Sequence, residues 1–181
     1  MCGRRDMDER EAVRASQTGD RVAFGHLIDR HYQGLYRFAY QCLGNHGDAD
    51  DVCQETFLRA LRRIHSLRDG DCFRPWIYKI ALNLVRRWRR PRWTAGPLAQ
   101  PWHGDASGAV EALKGLERAD LVREEIGKLP QPLQLVTILV LMDGATQKEA
   151  AGIMGCSEAT VSRHLELARE MLRVRLRHLT E

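Results

Sequence analysis

The chain has 181 residues and a formal net charge of +4, with 44% apolar and 29% charged residues. That length suits one domain or two small ones, and the composition is that of a globular protein rather than a disordered or fibrous chain. No apolar run approaches the roughly 20 residues of a membrane span, and the charged N-terminus MCGRRDMDERE lacks the apolar core of a signal peptide. A soluble, cytoplasmic protein without stable membrane insertion is therefore expected. The cysteines are Cys2, Cys42, Cys53, Cys72 and Cys156, an odd set without a C-x-x-C pair, which argues against a zinc site or a disulfide framework. Cys42 and Cys53 fall on apolar helix faces and read as small buried hydrophobes.

Asp8 to Ser16 can make only a short charged helix. Gly19-Asp20 offers a turn and an N-cap. From Arg21 to Leu43, the set Phe24, Leu27, Ile28, His31, Leu35, Phe38, Ala39 and Cys42 keeps helical spacing. His31 lies on that face and reads as a satisfied core residue, not a ligand. Gly44-Asn45-His46-Gly47 breaks the chain. A third helix is expected to open on Asp48, Asp50 and Asp51, acids that suit a helix N-terminus. Its inner face is Ala49, Val52, Cys53, Thr56, Ala60 and Ile64. Asp51, Gln54, Glu55, Leu58 and Arg62 point outward, and Leu58 beside Gln54 and Glu55 suggests a protein-docking surface. No His or Cys stands at ligand spacing from these carboxylates, so no metal is expected there.

Ser66 to Cys72 reads as a loop with its turn at Asp69-Gly70. The next stretch, Phe73 to Arg92, is the most informative in the chain. Phe73, Trp76, Ile77, Ile80, Ala81, Leu84, Val85 and Trp88 form one helical face. The other face carries Lys79, Asn83, Arg86, Arg87, Arg89 and Arg90, and no Asp or Glu occurs between Asp71 and Asp105. Such an uncompensated strip attracts polyanions, because each neutralised phosphate releases condensed counterions. Trp76, Tyr78 and Trp88 lie within it, and aromatics among cations suit unpaired bases. Pro75 is tolerated near the helix start and Pro91 ends it. Residues 92–110 are rich in Pro, Gly and small polar residues and read as a linker, in which Trp93 and Trp102 are unexpected.

Helical spacing resumes from Val110 through Leu113, Leu116, Ala119, Leu121, Val122 and Ile126. Leu129-Pro130-Gln131-Pro132 leads into a very apolar helix, Leu133 to Met142, ended by Asp143-Gly144. Thr146-Gln147-Lys148-Glu149 is a capping box. A short helix to Met154, a tight turn at Gly155-Cys156, and a Ser157-capped helix from Glu158 to about Arg177 complete the pattern. The last helix should bury Val161, Leu165, Ala168, Leu172 and Leu176. Small Ala150 and Ala151 at the crossing and Val161 as plug make this a helix-turn-helix. Its second helix would read base edges in a major groove through Glu158, Thr160, Ser162 and Arg163, and Arg169, Arg173, Arg175 and Arg177 suit phosphates. The expected fold is all-α: two small helical domains joined by a flexible linker. Residues 1–91 form the first, 92–110 the linker and 111–181 the helix-turn-helix domain.

Two nucleic-acid modules with a polar docking helix between them resemble the extracytoplasmic-function group of bacterial RNA polymerase sigma factors. Gly19-Asp20 with Ala23-Phe24 and Leu27 is similar to the opening of that family's second conserved region. Asp48 to Val52 followed by Gln54-Glu55-Thr56-Phe57 is similar to its polymerase-binding helix. Trp76 through Asn83 is similar to its promoter-melting and −10 segment, and Leu129-Pro130 with Thr160-Val161 to its −35 reader. Arg87 stands where the family often has an acid, and Ser162-Arg163-His164 departs from its usual recognition-helix residues. The resemblance implies that Asp51, Gln54, Glu55 and Leu58 dock on core RNA polymerase. It implies that the Ser66–Cys72 loop takes a flipped base. Lys79, Asn83, Arg86, Arg87 and Arg90 would hold the −10 strand, the C-terminal helix would read −35 duplex, and the linker would thread the RNA exit path. It also implies promoter DNA and an anti-sigma factor as partners, and no cofactor. Three rivals stand beside it: a sigma mimic that only binds an anti-sigma protein, a dimeric helix-turn-helix repressor, and an enzyme. The unpaired arginines oppose the first. The acidic helix and the Phe73–Arg92 strip are unexplained by the second. No phosphate loop, nucleophile–base pair or metal cluster supports the third.

Overall fold

The computed structural model describes residues 7–89 and 121–177, and every regular element among them is helical. Helix α1 spans Glu9–Gln17. Helix α2 spans Arg21–Leu43, opened by the Asp20 carboxylate, which accepts from the Val22 and Ala23 amides, and closed by Gly44 at φ 69°. Both ends fall where the sequence places them. The expected apolar set of α2 is inside, apart from a half-buried Ile28.

Helix α3 spans His46–Arg63 and starts earlier than expected. Asn45 is its cap, accepting from the Asp48 amide, so His46 and Gly47 are helical rather than part of a break. Asp48 is the acid of the first turn; Asp50 instead accepts a 2.8 Å hydrogen bond from the Tyr32 hydroxyl. That hydrogen bond, with burial as the smaller cause, raises the Tyr32 hydroxyl to about 12. The inner face of α3 is as expected, with Ala49, Val52, Cys53, Thr56, Ala60 and the following Ile64 all buried. Cys42 and Cys53 are buried and not joined in a disulfide, and burial pushes the Cys53 thiol up to about 12.

Between α3 and the next helix the expected loop contains short 3-10 turns at Ile64–Ser66 and Gly70–Cys72. Gln17 ties this segment to α1 by donating to the carbonyls of Ile64 and Leu67 at 3.0 and 2.6 Å. Helix α4 spans Phe73–Arg89. Phe73, Ile77, Ala81, Leu84 and Val85 are buried, and Trp76, Ile80 and Trp88 are half-buried against the same core. Tyr78 and Leu82 are buried too, so α4 is covered on a wider arc than its apolar stripe predicts.

The second module begins with helix α5, residues 121–127. Helix α6 runs from Gln131, with Pro132 in its first turn, and its second half, Thr137–Met142, is a π-helix. There the Asp143 amide reaches back to the Ile138 carbonyl and the Ala145 amide to the Leu139 carbonyl. Helix α7, Gln147–Met154, carries the capping box as read: Thr146 accepts from the Glu149 amide while the Glu149 carboxylate accepts from the Thr146 amide. Gly155 turns the chain at φ 73°, a conformation that favours glycine. Helix α8 spans Glu158–Arg175, capped by Ser157. It buries Val161, Leu165 and Ala168, but Leu172 and Leu176 are only half-buried. The expected helix from Val110 to residue 120, the linker, Arg90, Trp93 and Trp102 lie outside the described residues. Most buried apolar side chains form one continuous core from α1–α4 into Ile138, Leu139, Ala150 and Ile153 of the second module, and Leu129, Leu133 and Ala168 form a smaller cluster of their own.

His31 is the core residue the sequence suggests. Its ring lies 5.2 Å from Phe73 and its Nε2 is 3.0 Å from the Glu9 carboxylate. Burial lowers its pKa below 6.5, against the pull of Glu9 and with a smaller push from Arg30 and Arg74. The folded state therefore prefers the neutral ring. Its contribution is complete above the unfolded value of 6.5 and is lost as pH falls through the folded value. Thermal unfolding should show a midpoint that drops between pH 7.5 and 5.5 by an amount that His31→Gln largely removes. A second expectation concerns the cap of α7: Thr146→Ala should cost about 1 kcal/mol in urea denaturation.

Candidate nucleic-acid interface

The geometry of α4 separates two chemistries. With its apolar side chains inward, the helical period puts Lys79, Asn83, Arg86 and Arg87 on the outside, and Lys79, Asn83, Arg86 and Arg87 are all exposed. Among the described residues none of the four meets a carboxylate within ion-pair distance. Cations left unpaired at this density make a local positive field that strengthens toward polyanions and weakens with salt. Arg90, the last cation read into this strip, lies outside the described residues.

The aromatic part of that reading needs correction. Tyr78 is 2% exposed, so it is not available to stack on a base. Its hydroxyl hydrogen-bonds the carboxylate of Asp143, and burial, with Asp143 second, pushes its pKa well up. Trp76 and Trp88 are half-buried and pack on the core, leaving an edge each at the surface.

Arg74 is not singled out by the sequence, yet it makes the most connected polar contact on α4. Its guanidinium donates to the Asp143 carboxylate and to the Asp143 carbonyl, both at 3.0 Å, and to Glu149 at 3.2 Å. It also sits over the Tyr78 ring at 5.2 Å. Burial raises the Asp143 carboxyl pKa, with Tyr78 and Arg74 opposing. Glu149 shifts down: burial pushes its carboxyl up, but the Thr146 amide and hydroxyl and then Arg74 outweigh it. The only signal in the sequence is a pair of acids flanking a helix start, far along the chain from any cation strip.

On α3, Asp51, Gln54 and Leu58 are exposed, with Leu58 at 50%. Glu55 is half-exposed and already paired with Arg59 at 2.6 Å, an i,i+4 pair within the helix. Leu61, 40% exposed, widens the apolar part of this face beyond the residues that the sequence points to. The docking candidates thus share one helix, and α3 and α4 pack side by side. Cys72, in the loop between them, is exposed and its thiol points at Asp69 at 3.7 Å.

In the helix-turn-helix, Glu158 and Arg163 are exposed and Thr160 and Ser162 half-buried. Thr160 is partly spoken for: its amide donates to Ser157 Oγ, and the two hydroxyls lie 2.9 Å apart. Ala150 and Val161 are fully buried at the helix crossing, as a tight helix-turn-helix angle requires. Of the cations further along α8, Arg169 and Arg173 are exposed, whereas Arg175 faces Glu125 at 3.8 Å. No cluster of His, Cys, Asp and Glu among the described residues has metal-holding geometry, and no described helix is long and apolar enough to cross a membrane.

Comparison with known proteins places both modules. Residues 27–94 match the Sigma-70 region 2 family and residues 119–172 the Sigma-70 region 4 family. The chain is 29% identical over 186 residues to the ECF RNA polymerase sigma factor SigW of Bacillus subtilis (strain 168), covering 96% of this chain and all of that one. It is 30% identical over 172 residues to the ECF RNA polymerase sigma-E factor of Escherichia coli (strain K12), covering 88% of this chain and 90% of that one. Among solved structures, CnrH, determined in complex with the cytosolic domain of CnrY, aligns with a TM-score of 0.72 at 29% identity over 94% of this chain and 97% of that one. The sigma factor RpoE of Bartonella quintana, solved with the anti-sigma factor NepR, shares the fold at a TM-score of 0.71 and 20% identity, over 85% of this chain and 96% of that one. With both sigma modules matched in order along nearly its whole length, the chain belongs to the extracytoplasmic-function family of RNA polymerase sigma factors, the promoter-recognising proteins of transcription initiation.

Proposed function

We propose a division of labour within this sigma factor that follows its exposed chemistry. Residues 1–91 act as the module that binds core RNA polymerase and the −10 element, 92–110 as the linker, and 111–181 as the −35 reader. Within the first, Asp51, Gln54, Glu55 and Leu58 of α3 dock on the polymerase, with Leu58 as the apolar anchor in a polar rim. Lys79, Asn83, Arg86, Arg87 and Arg90 hold the opened −10 strand and its phosphates. Glu158, Thr160, Ser162 and Arg163 meet base edges of the −35 duplex, where the first turns of a recognition helix reach the major groove. The protein works in the cytoplasm as a non-enzymatic initiation factor. It is held in check by an anti-sigma protein, a reading supported by RpoE, solved with the anti-sigma factor NepR, and by CnrH, solved with the cytosolic domain of CnrY.

The observation that supports this reading best is the exposed row Lys79, Asn83, Arg86 and Arg87, carried without an ion-paired acid among the described residues, on the helix that packs beside the docking face. Neither module need bind DNA tightly alone, because attachment to the polymerase supplies a high effective concentration.

Purified protein added to core polymerase should start transcription from a −10/−35 promoter of its own genome. A specific transcript is expected, and none from any genomic template would overturn the reading. Arg86→Ala with Arg87→Ala should leave polymerase binding intact and weaken promoter opening. For a single strand each lost phosphate contact lowers the slope of log affinity against log salt by about 0.7, so the double variant should lose about 1.4. Conversely, Leu58→Asp should weaken core binding by about 1–3 kcal/mol, as loss of an interface anchor does, and leave the salt slope of DNA binding unchanged. Equal loss of both functions in either variant would show that the two surfaces are not separate.

A further inference from the structure

A cleft of about 170 Å³ opens between α2 and the second module, and none of its lining residues belongs to a candidate DNA or polymerase surface. Tyr36, Arg37, Tyr40 and Gln41 stand at i, i+1, i+4 and i+5 of α2 and so share the face that forms one wall. Arg123 of α5 and Met142 of α6 line it from the second module. An apolar cavity of about 150 Å³ holds one benzene molecule. The cleft therefore takes a single ring with a short substituent, and not a nucleotide or a peptide.

Two features make the lining selective. The rings of Tyr36 and Tyr40 are nearly parallel, 8° apart with centroids at 6.4 Å. The start of α3 sets both orientations: the Tyr40 ring stacks on His46 at 4.5 Å, and the Tyr36 hydroxyl is hydrogen-bonded to His46 Nδ1. An aromatic wall fixed before a ligand arrives loses little freedom on binding, and a ring laid on it gains stacking beyond its buried area. The second feature is charge. Arg37 and Arg123 bring one guanidinium from each module. The acid of the lining, Asp143, already accepts from Arg74 and bonds Tyr78, and Arg37 acts on it electrostatically. A guanidinium matches a carboxylate in two parallel N–H···O bonds. Met142, 42% exposed, is an unbranched side chain that adapts to the edge of a ring.

We propose that this cleft is a binding site for a monocyclic aromatic carboxylate, benzoate being the simplest, with its ring against Tyr36 and its carboxylate between Arg37 and Arg123. The site uses no residue of the proposed promoter and polymerase surfaces, so it stands whether or not those assignments hold. Because its walls come from both modules, the bound acid touches α2, α5 and α6 at once.

The test uses the full chain and benzoate as probe, by isothermal titration calorimetry at constant ionic strength. One saturable site is expected, and a thermal midpoint that rises with benzoate concentration, as binding to the folded state alone requires. Acetate keeps the charge without the ring and benzamide the ring without the charge; each should bind at least about tenfold more weakly. Arg37→Gln and Arg123→Gln should each cost about tenfold in affinity, the worth of a charge-assisted hydrogen bond. Tyr36→Leu should remove the preference for benzoate over acetate. Arg37 is exposed, so Arg37→Gln should keep the wild-type helicity by far-UV circular dichroism. Arg37→Lys keeps the charge but not the fork and should fall between. With isotope-labelled methionine methyls, the Met142 resonance should shift on titration through the ring current, and those of Met7, Met154 and Met171 should not. Absence of saturable binding overturns the site, as does acetate binding as tightly as benzoate. Benzoate affinity unchanged in either Gln variant, or a shift at another methionine in place of Met142, puts the acid elsewhere and overturns it too.

Discussion

Burial of one face of α4 is the constraint on which the rest depends. Phe73, Ile77, Ala81, Leu84 and Val85 have no alternative to the interior, since exposing them would forfeit about 1.5–3 kcal/mol for each large side chain. Once they are inside, the period of 3.6 residues leaves Lys79, Asn83, Arg86 and Arg87 no choice but the outside. The same helix packs on α2, α3 and α7, so it is both the exposed cationic surface and the hub that positions α3 beside it. A position on that row is therefore set by the core and not by the cations themselves.

Much of this is legible from the sequence because it is local. The N-cap at Asp20, the capping box at Thr146 and Glu149, and the turn glycines at Gly44, Gly144 and Gly155 each depend on residues within one turn of one another. The start of α3 is misplaced by sequence reasoning because Asn45 and Gly47 read as breakers, whereas Asn45 is the cap and Gly47 is merely tolerated in the first turn. Tyr78 reads as a surface residue because its position is off the apolar stripe; Phe38 of α2 and Asp143 of the second module cover it, and stripe width says nothing of that. The link between Arg74 and Asp143 crosses 69 positions and leaves no periodic trace. The candidate binding residues on α3, α4 and α8 are readable as to exposure, but Glu55 and Thr160 have local partners that helical spacing alone does not disclose.

The π-helical end of α6 has no sequence mark either, but its effect is large. The wider turn over Thr137–Met142 rotates the succeeding residues relative to a regular helix, and the Asp143 amide bonds the carbonyl of Ile138 instead of that of Leu139. Asp143 is thereby aimed at Arg74 while Leu141 and Met142 face solvent.

Because that acid belongs to one half of the chain and its arginine to the other, the halves are not freely interchangeable. A hybrid spliced in the linker from two relatives could keep every exposed side chain of both parents and still lose this ion pair wherever one parent lacks its half. Shuffling of such modules during evolution is thus constrained by a buried contact as well as by the surfaces that each module exposes.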